Sequence, residues 1–213
     1  GLATAKNTHY LLLMSEFKAI LVPDEYYHVF NRAVGNEKLF LIDDNYRYFL
    51  QQFHKYIYPV SDLFCYSLLP NHFHFFLRTK SPGSICKQME FLHYRQGNDV
   101  NLIPDFLLPQ FSNGFNAYTK AFNKLYRRKG KLFMEPFSRK NITTPGYYTK
   151  LIHYIHANPV HHGLCRKVEE WPHSSYNEIV AHTNSWIRYD EIISWFGSLE
   201  AFIEFHQQPI ERK

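Results

Sequence analysis

The chain has few cysteines and no long apolar segment, and both features restrict the kind of protein it can be. Its three cysteines, Cys65, Cys86 and Cys165, are far apart and form no CxxC pair. This spacing argues against a disulfide framework and a zinc-thiolate site, and it is typical of a reducing compartment. The apolar run at 10–14 is too short to span a membrane, and we find no convincing signal-peptide pattern. We therefore expect a cytoplasmic protein.

Aromatic and basic residues are abundant. The 213 residues are 45% hydrophobic, which excludes a disordered chain, and they include 16 Tyr, 19 Phe and 13 His with a net charge of +5. Cationic side chains bind phosphates and aromatic rings stack on unpaired bases, so this composition favours a nucleic-acid partner. An ordinary basic soluble protein has a similar charge, and charge alone does not separate the two.

Short strand-like segments alternate with segments of helical periodicity. Strands are predicted at 25–32, 63–69, 72–78 and 131–142. Helices are predicted at 46–58, 85–95, 110–128, from Pro145 to Pro159, and at 189–205, with a loop at 97–109. The pattern indicates an α+β fold, in which helices pack on one face of a small antiparallel sheet.

Two histidines separated by one apolar residue, His72 and His74, lie in the third predicted strand. Side chains at i and i+2 point to the same face of a strand, so the two imidazoles share one face and Phe73 points to the other. Two adjacent imidazoles are half of a metal site. A strand with two hydrogen-bonded histidines on a polar face has the same pattern, so the motif alone leaves both interpretations open.

The predicted helix after Pro145 carries Tyr154 and Asn158, four residues apart. Residues at i and i+4 lie on one helix face, with Cβ atoms about 6 Å apart. If this face meets the histidine strand, Asn158 can offer an amide oxygen as a third ligand and leave positions open for water or a phosphate oxygen. A core aromatic is the ordinary alternative for Tyr154.

Five segments follow one another in a characteristic order between residues 25 and 180. They are YHVFNR at 27–32, LPNHFHF at 69–75, FNK and GKLF within 122–133, YIHANPV and GL within 154–164, and WPHSSY at 171–176. In this order they resemble the single-tyrosine HUH transposases and, within them, the REP-associated tyrosine transposases. The resemblance implies a ferredoxin-like sheet and a catalytic domain over 25–180. Residues 1–24 give no clear periodic signal and are interpreted as a leader, and 181–213 are expected to form a C-terminal helical extension.

The same resemblance implies metal-dependent cleavage and strand transfer of single-stranded or hairpin DNA through a covalent 5′-phosphotyrosine. Tyr154 is then the nucleophile, although Tyr147 and Tyr148 precede it and compete for this role. The ligands of a divalent ion, Mg²⁺ or Mn²⁺, are then His72, His74 and Asn158. The long segment after Tyr154 is similar to the REP-associated branch and favours a monomer over a homodimer.

Basic residues between the site motifs are predicted to contact DNA phosphates: Arg127, Arg128, Lys129, Lys131, Arg139 and Lys140. A solvated basic face is the alternative for each of them. The histidines near the tyrosine are expected at the surface or at helix ends: His153, His156, His161 and His162. Two other functions stay open, a non-catalytic module of this fold that binds single-stranded nucleic acid and a metal phosphodiesterase that uses water.

Overall fold

The computed structural model describes residues 18–95 and 97–209, and its centre is an antiparallel sheet of four strands. The strands are β1 Tyr26–Arg32, β2 Ser61–Leu69, β3 His72–Thr79 and β4 Ser138–Asn141. They are ordered β2-β3-β1-β4, and each neighbouring pair is antiparallel. Helical crossovers from β1 to β2 and from β3 to β4 complete the ferredoxin-like arrangement. The predicted α+β class with an antiparallel sheet is confirmed.

Helices make up most of the remaining described chain. They are α1 Asp43–Tyr56, α2 Pro82–Phe91, α3 Ile103–Leu125, α4 Tyr148–His161, α5 Tyr176–Val180, α6 Tyr189–Phe196 and α7 Leu199–His206. In the described residues, no helix has the length and apolar character needed to cross a membrane. Most of the predicted leader and the last four residues of the predicted extension lie outside the described residues.

One face of the sheet packs against the crossover helices α1 and α3 through aromatic rings. On β3, Phe73 and Phe75 are fully buried and point away from the two histidines, as strand alternation requires. Phe49 of α1 lies 5.0 Å from Phe73 between ring centroids, Phe53 lies 4.5 Å from Phe75, and Phe115 of α3 lies 5.2 Å from Phe73. These rings explain much of the phenylalanine content and make this half of the molecule a rigid support for β3.

The opposite face of the sheet is covered by α4 and α6. Tyr148 at the start of α4 lies 5.4 Å from Phe76 on β3 and 4.6 Å from Tyr26 on β1, and Trp195 of α6 lies 6.1 Å from Phe76. The sequence pattern predicted helices on one face, and the additional cover arises because β2 and β3 are buried at nearly every position on both faces. As a result, α4 runs across the face that carries the histidines.

Two elements differ in extent from their predictions. The segment expected as a loop at 97–109 contains the start of α3, because Phe106 and Leu107 are buried and hold this first part of the helix against the core. Pro109 therefore lies inside α3. The strand predicted at 131–142 is reduced to Ser138–Asn141, the only part of that segment that pairs with β1 along several residues.

Two helix ends also differ. α4 does not end at Pro159 but continues to His161, and the chain leaves the helix at Gly163, whose φ of +67° suits glycine. A proline in the last turn removes one helical hydrogen bond, and the buried contacts of the preceding turns outweigh this loss. The single helix predicted at 189–205 is two helices, separated at Gly197 with φ of +92°, and Ser198 caps the second by accepting from the Ala201 N–H at 3.1 Å.

Candidate metal and nucleophile site

His72 and Asn158 meet where β3 passes under α4. The distance between His72 Nε2 and Asn158 Oδ1 is 3.1 Å, although the residues are 86 positions apart in the chain. The other ring nitrogen of His72, Nδ1, lies 2.8 Å from Asn71 Oδ1. Asn158 is only 3% exposed, so its amide is held in place by the packing of α4 on the sheet. The predicted convergence of these two side chains is therefore present in the structure.

The partners of His72 define what its ring can offer to a ligand. A neutral imidazole has one N–H, and donation from Nδ1 to the Asn71 oxygen leaves a lone pair on Nε2. Burial lowers the pKa of His72 and outweighs the opposing effect of the Asn158 oxygen, which would accept from the charged ring, so the neutral ring is favoured. The Nε2 lone pair then faces Asn158 Oδ1, unless the amide is turned to present its NH₂. Two acceptor atoms at this spacing match neighbouring ligands of one cation. Two metal–ligand bonds of about 2.1 Å at right angles place the ligand atoms about 3 Å apart.

His74 forms a hydrogen bond with a histidine that the sequence analysis did not single out. Its Nδ1 lies 2.9 Å from Nε2 of His28 on β1. Burial, together with the charge of Lys140, lowers the pKa of His28 to about 3. Burial also lowers the pKa of His74 well below its usual value, and the neighbouring histidines add to this effect. Both rings are therefore neutral at pH 7, the form in which imidazole binds metals.

Tyr154 lies beside the histidines and is open to solvent. The residue is 39% exposed, and its ring centroid is 5.8 Å from that of His74 and 6.1 Å from that of His28, with both pairs in edge geometry. Of the competing tyrosines, Tyr148 is 6% exposed and belongs to the aromatic cluster under α4 and α6. Tyr147 lies in the turn before α4. On geometry, Tyr154 is the tyrosine best placed to reach a substrate held at the histidines.

The donor set at this point is two imidazoles and one amide. Within residues 18–95 and 97–209, no group of three or more His, Cys, Asp or Glu side chains is arranged to hold a metal ion. A site made from His72, His74 and Asn158 would therefore carry no charge of its own and leave several positions open. Such a site suits an ion that binds substrate oxygens, and imidazole favours Mn²⁺ over Mg²⁺. The residues present fit the predicted divalent ion.

Two of the six basic residues predicted to contact DNA have guanidinium groups that are held within the fold. Arg139 is 9% exposed and donates to the carbonyl oxygens of Ala19 at 2.6 Å and Phe137 at 3.3 Å. Its position on β4 is opposite Val29, so it points away from the histidines. Arg128 pairs with Glu37 and also donates to the Lys131 carbonyl at 2.6 Å. Both guanidinium groups hold neighbouring segments together, which does not suit a phosphate contact.

The other four basic residues are exposed, and their role in DNA binding stays a prediction. Lys131 pairs with Glu135 at 2.7 Å on the surface, a contact of small energetic value that a phosphate can replace. Arg127 and Lys129 follow the end of α3. Lys140 lies opposite His28 in the pairing of β1 with β4, so it shares the face of the histidines. Of these four, Lys140 is placed nearest to the candidate site by strand register.

The histidines at 153 and 156 are buried, which corrects the expectation that they lie at the surface. His153 is 7% exposed and His156 is 0% exposed, because both face the C-terminal helices rather than solvent. His161 is partly buried near Tyr154, with 6.5 Å between ring centroids. His162 is exposed at the end of α4, and its ring centroid is 4.7 Å from that of His72.

No protein-family model and no curated protein matches this chain. Among solved structures, the chain is similar to that of a REP-associated tyrosine transposase bound to a REP hairpin. The two chains are 19% identical, the TM-score is 0.55, and the match covers 79% of this chain and 86% of that chain. At this identity the similarity establishes the fold, and the fold of this chain is therefore one that a tyrosine transposase also has.

Proposed function

We propose that this chain is a single-tyrosine HUH endonuclease of the transposase type. In this proposal it cleaves and rejoins single-stranded or hairpin DNA through a covalent bond to Tyr154. The observation that carries the proposal is the convergence of Tyr154 with the histidine pair of β3 on one face of the sheet. The transposase fold of the chain supports it, and so does the REP hairpin bound by the similar protein.

Tyr154 is the group that forms and breaks the covalent bond. Its phenol oxygen attacks phosphorus, the bond from phosphorus to the 3′ oxygen breaks, and the phenol proton is lost as the 3′ oxygen takes one up. The products are a 5′-phosphotyrosine and a free 3′-hydroxyl, and attack by another 3′-hydroxyl reverses the step and joins strands. A free phenol has a pKa near 10 and is a weak nucleophile at neutral pH, so the reaction depends on placement and charge stabilisation.

The remaining site residues hold and orient the reacting groups. His72, His74 and Asn158 would hold the ion, which when bound supplies Lewis-acid polarisation of a phosphate oxygen. Because β3 is packed on both faces and Asn158 is buried, these donors keep a fixed geometry relative to α4. Tyr154 and Asn158 lie on the same helix, so the nucleophile and one ligand move together.

The proposal also covers the domain bounds, the ion, the DNA contacts and the oligomeric state. We propose that residues 25–180 form the catalytic domain and that the segment after 180 supports α4. Mg²⁺ or Mn²⁺ is the proposed ion. Lys140 and the exposed cations after α3 are proposed to contact the phosphate backbone. A monomer is favoured, because α4 packs on the sheet of its own chain and brings Tyr154 to the histidines of that chain.

The test is trapping of a covalent protein–DNA adduct. Wild-type chain is incubated with labelled single-stranded DNA hairpins and Mn²⁺ or Mg²⁺, and the products are separated on denaturing gels. We expect a labelled protein band that Tyr154→Phe loses completely. Tyr147→Phe is the matched control, because Tyr147 has almost the same exposed fraction, 37%, and is expected to retain the band.

The other outcomes separate the alternatives. DNA cleavage that persists in Tyr154→Phe would contradict the proposal and favour a phosphodiesterase that uses water. DNA binding without cleavage with either ion would favour a non-catalytic binding module. An adduct that is lost in Tyr147→Phe instead of Tyr154→Phe would move the nucleophile to the turn before α4.

A further inference from the structure

His28 is fixed next to His74 by the register of two central strands. β1 and β3 are antiparallel, with Phe30 opposite His74 and His28 opposite Phe76. Alternation places His28 and His74 on the same face, where their ring centroids are 5.1 Å apart and the rings are nearly parallel. The 2.9 Å contact between His28 Nε2 and His74 Nδ1 is therefore determined by the sheet itself rather than by a mobile side chain.

The direction of this hydrogen bond decides which nitrogen of His74 can bind a ligand. If His74 Nδ1–H donates to a lone pair on His28 Nε2, then His74 Nε2 is unprotonated. If His28 donates instead, the proton of neutral His74 lies on Nε2 and blocks that position. No hydrogen bond within residues 18–95 and 97–209 involves His74 Nε2, so this atom is the one left for a ligand.

We propose that His28 is a positioning residue for the candidate ion site. It accepts a hydrogen bond from Nδ1–H of His74 and thereby presents His74 Nε2 to the ion. The proposal rests on the function proposed above and adds a residue to its site. Metal-binding histidines commonly donate their second ring N–H to a partner that fixes both tautomer and ring orientation. Asn71 has this relation to His72, since its Oδ1 lies 2.8 Å from His72 Nδ1. Both histidines of β3 thus have a partner on Nδ1.

A packing role alone does not account for a histidine at this position. His28 is 9% exposed in β1, and a buried imidazole carries a desolvation cost that an apolar ring of similar size avoids. A direct ligand role for its Nε2 conflicts with the 2.9 Å contact, because one lone pair cannot accept a proton and bind an ion together. Acceptance from His74 is consistent with both observations.

The first measurement is the tautomer of His74 in the metal-free protein. Nitrogen-15 NMR of labelled wild-type chain distinguishes protonated from unprotonated ring nitrogens, and assignment uses His74→Gln. We expect the proton on Nδ1 in the wild type and a shift of the proton population toward Nε2 in His28→Leu. A wild-type His74 with its proton on Nε2 would overturn the proposal, whatever the protein does to DNA.

The second measurement is Mn²⁺ affinity, followed by electron paramagnetic resonance without DNA. His28→Leu should weaken binding about 10- to 100-fold, as loss of an outer partner does at other sites. His28→Gln should stay within about threefold of the wild type, because its side-chain oxygen can take the place of Nε2 as acceptor. His153→Leu is the matched control, since it also removes a buried imidazole but lies on the opposite side of α4.

Each other result has a definite meaning. Wild-type affinity in His28→Leu, or no Mn²⁺ binding by the wild type, would overturn the proposal. Equal losses in His28→Leu and His28→Gln would overturn it in favour of a direct ligand or a packing role. Because both measurements are made without DNA, failure of the adduct assay would refute the proposed strand cleavage and leave the role of His28 to be judged separately.

Discussion

Two pairs of buried histidines have the same hydrogen bond but different surroundings. In the sheet, His28 and His74 are joined at 2.9 Å, and under α4, His156 and His206 of α7 are also joined at 2.9 Å. The second pair is satisfied at both ends, because His206 Nδ1 donates to the Phe202 carbonyl at 2.7 Å and His156 Nε2 lies 2.8 Å from the Ser175 hydroxyl. In the first pair, neither outer nitrogen, His28 Nδ1 or His74 Nε2, has a hydrogen bond to a side chain or backbone group of the described residues, and His74 Nε2 is the one proposed for the ion.

The pair of His156 and His206, here called the closed pair because both outer nitrogens have partners, has only one consistent arrangement of protons when both rings are neutral. A carbonyl oxygen can only accept, so His206 donates from Nδ1 and its Nε2 must accept from His156 Nδ1. His156 Nε2 then accepts from the Ser175 hydroxyl. The chain of bonds joins α4 to α7 and to the segment before α5, on the side of the helix away from Tyr154. A structural histidine pair therefore differs from a candidate ligand pair in one property. In the structural pair, the ring nitrogens outside the histidine–histidine bond already have hydrogen-bond partners.

Removal of His156 should break the closed pair and cause the largest loss of stability. We expect His156→Ala to lower the free energy of unfolding by about 3 kcal/mol, because it creates a cavity, leaves His206 Nε2 without its donor and removes the 2.8 Å partner of the Ser175 hydroxyl. Urea denaturation measures this loss. His162→Ala, at an exposed position of the same segment, should change stability by about 0.5 kcal/mol or less.

The same variant also tests the contrast between the pairs. If the closed pair has only a structural role, the folded fraction of the His156→Ala variant should bind Mn²⁺ with wild-type affinity. A loss of stability below about 1 kcal/mol, or a large loss of Mn²⁺ affinity in the folded variant, would contradict the distinction.

The candidate site illustrates what local patterns can predict. His72 and His74 share a face because of strand alternation, and Tyr154 and Asn158 share a face because of helical spacing. Each of these two relations follows from a few neighbouring residues. The contact between His28 and His74 depends on the register of β1 against β3, across 46 positions, which no local pattern encodes. A strand histidine in a segment already identified as β1 was the only available signal.

Burial was the property that the sequence predicted least well. His156 follows Tyr154 by two positions and was expected at the surface, yet it is completely buried because α7 packs on that side of α4. Arg139 was expected to meet DNA, but it lies on the face of β4 that points away from the histidines. In both cases, the deciding contact comes from a part of the chain distant in sequence, so neither composition nor periodicity could reveal it.

Ser175 closes the structural pair at its other end, and its removal should have a smaller effect than that of His156. Its hydroxyl is the partner of His156 Nε2 and accepts from the Tyr66 N–H at 2.9 Å. We expect Ser175→Ala to lower the free energy of unfolding by about 2 kcal/mol, because both buried partners lose a hydrogen bond. Urea denaturation of Ser174→Ala provides the control, since that buried hydroxyl makes only a 3.4 Å contact and should cost about 0.5 kcal/mol. Equal losses in the two variants would mean that the hydroxyl of Ser175 has no special role.

The smallest expected effect concerns the acid sensitivity of the closed pair. Burial lowers the pKa of His206 from 6.5 to about 3. The hydrogen bond to the Phe202 carbonyl raises this pKa, and the neighbouring His153 lowers it further. Below pH 6.5 the unfolded chain therefore binds a proton that the folded chain does not, so stability falls as the pH decreases from 6.5 towards 3. One such histidine accounts for a loss of about 1 kcal/mol between pH 6.5 and 5.5.

His206→Gln tests this sensitivity while it preserves the bond to His156. The glutamine oxygen can accept from His156 Nδ1, but the side chain does not titrate. The loss of unfolding free energy between pH 6.5 and 5.5, measured by urea denaturation at each pH, should be smaller than in the wild type by about 1 kcal/mol. His54→Gln, at an exposed position of α1, should retain the full wild-type loss. If His206→Gln and the wild type lose stability equally, the closed pair does not set the acid sensitivity of α4, and the protons that unfold the chain bind elsewhere.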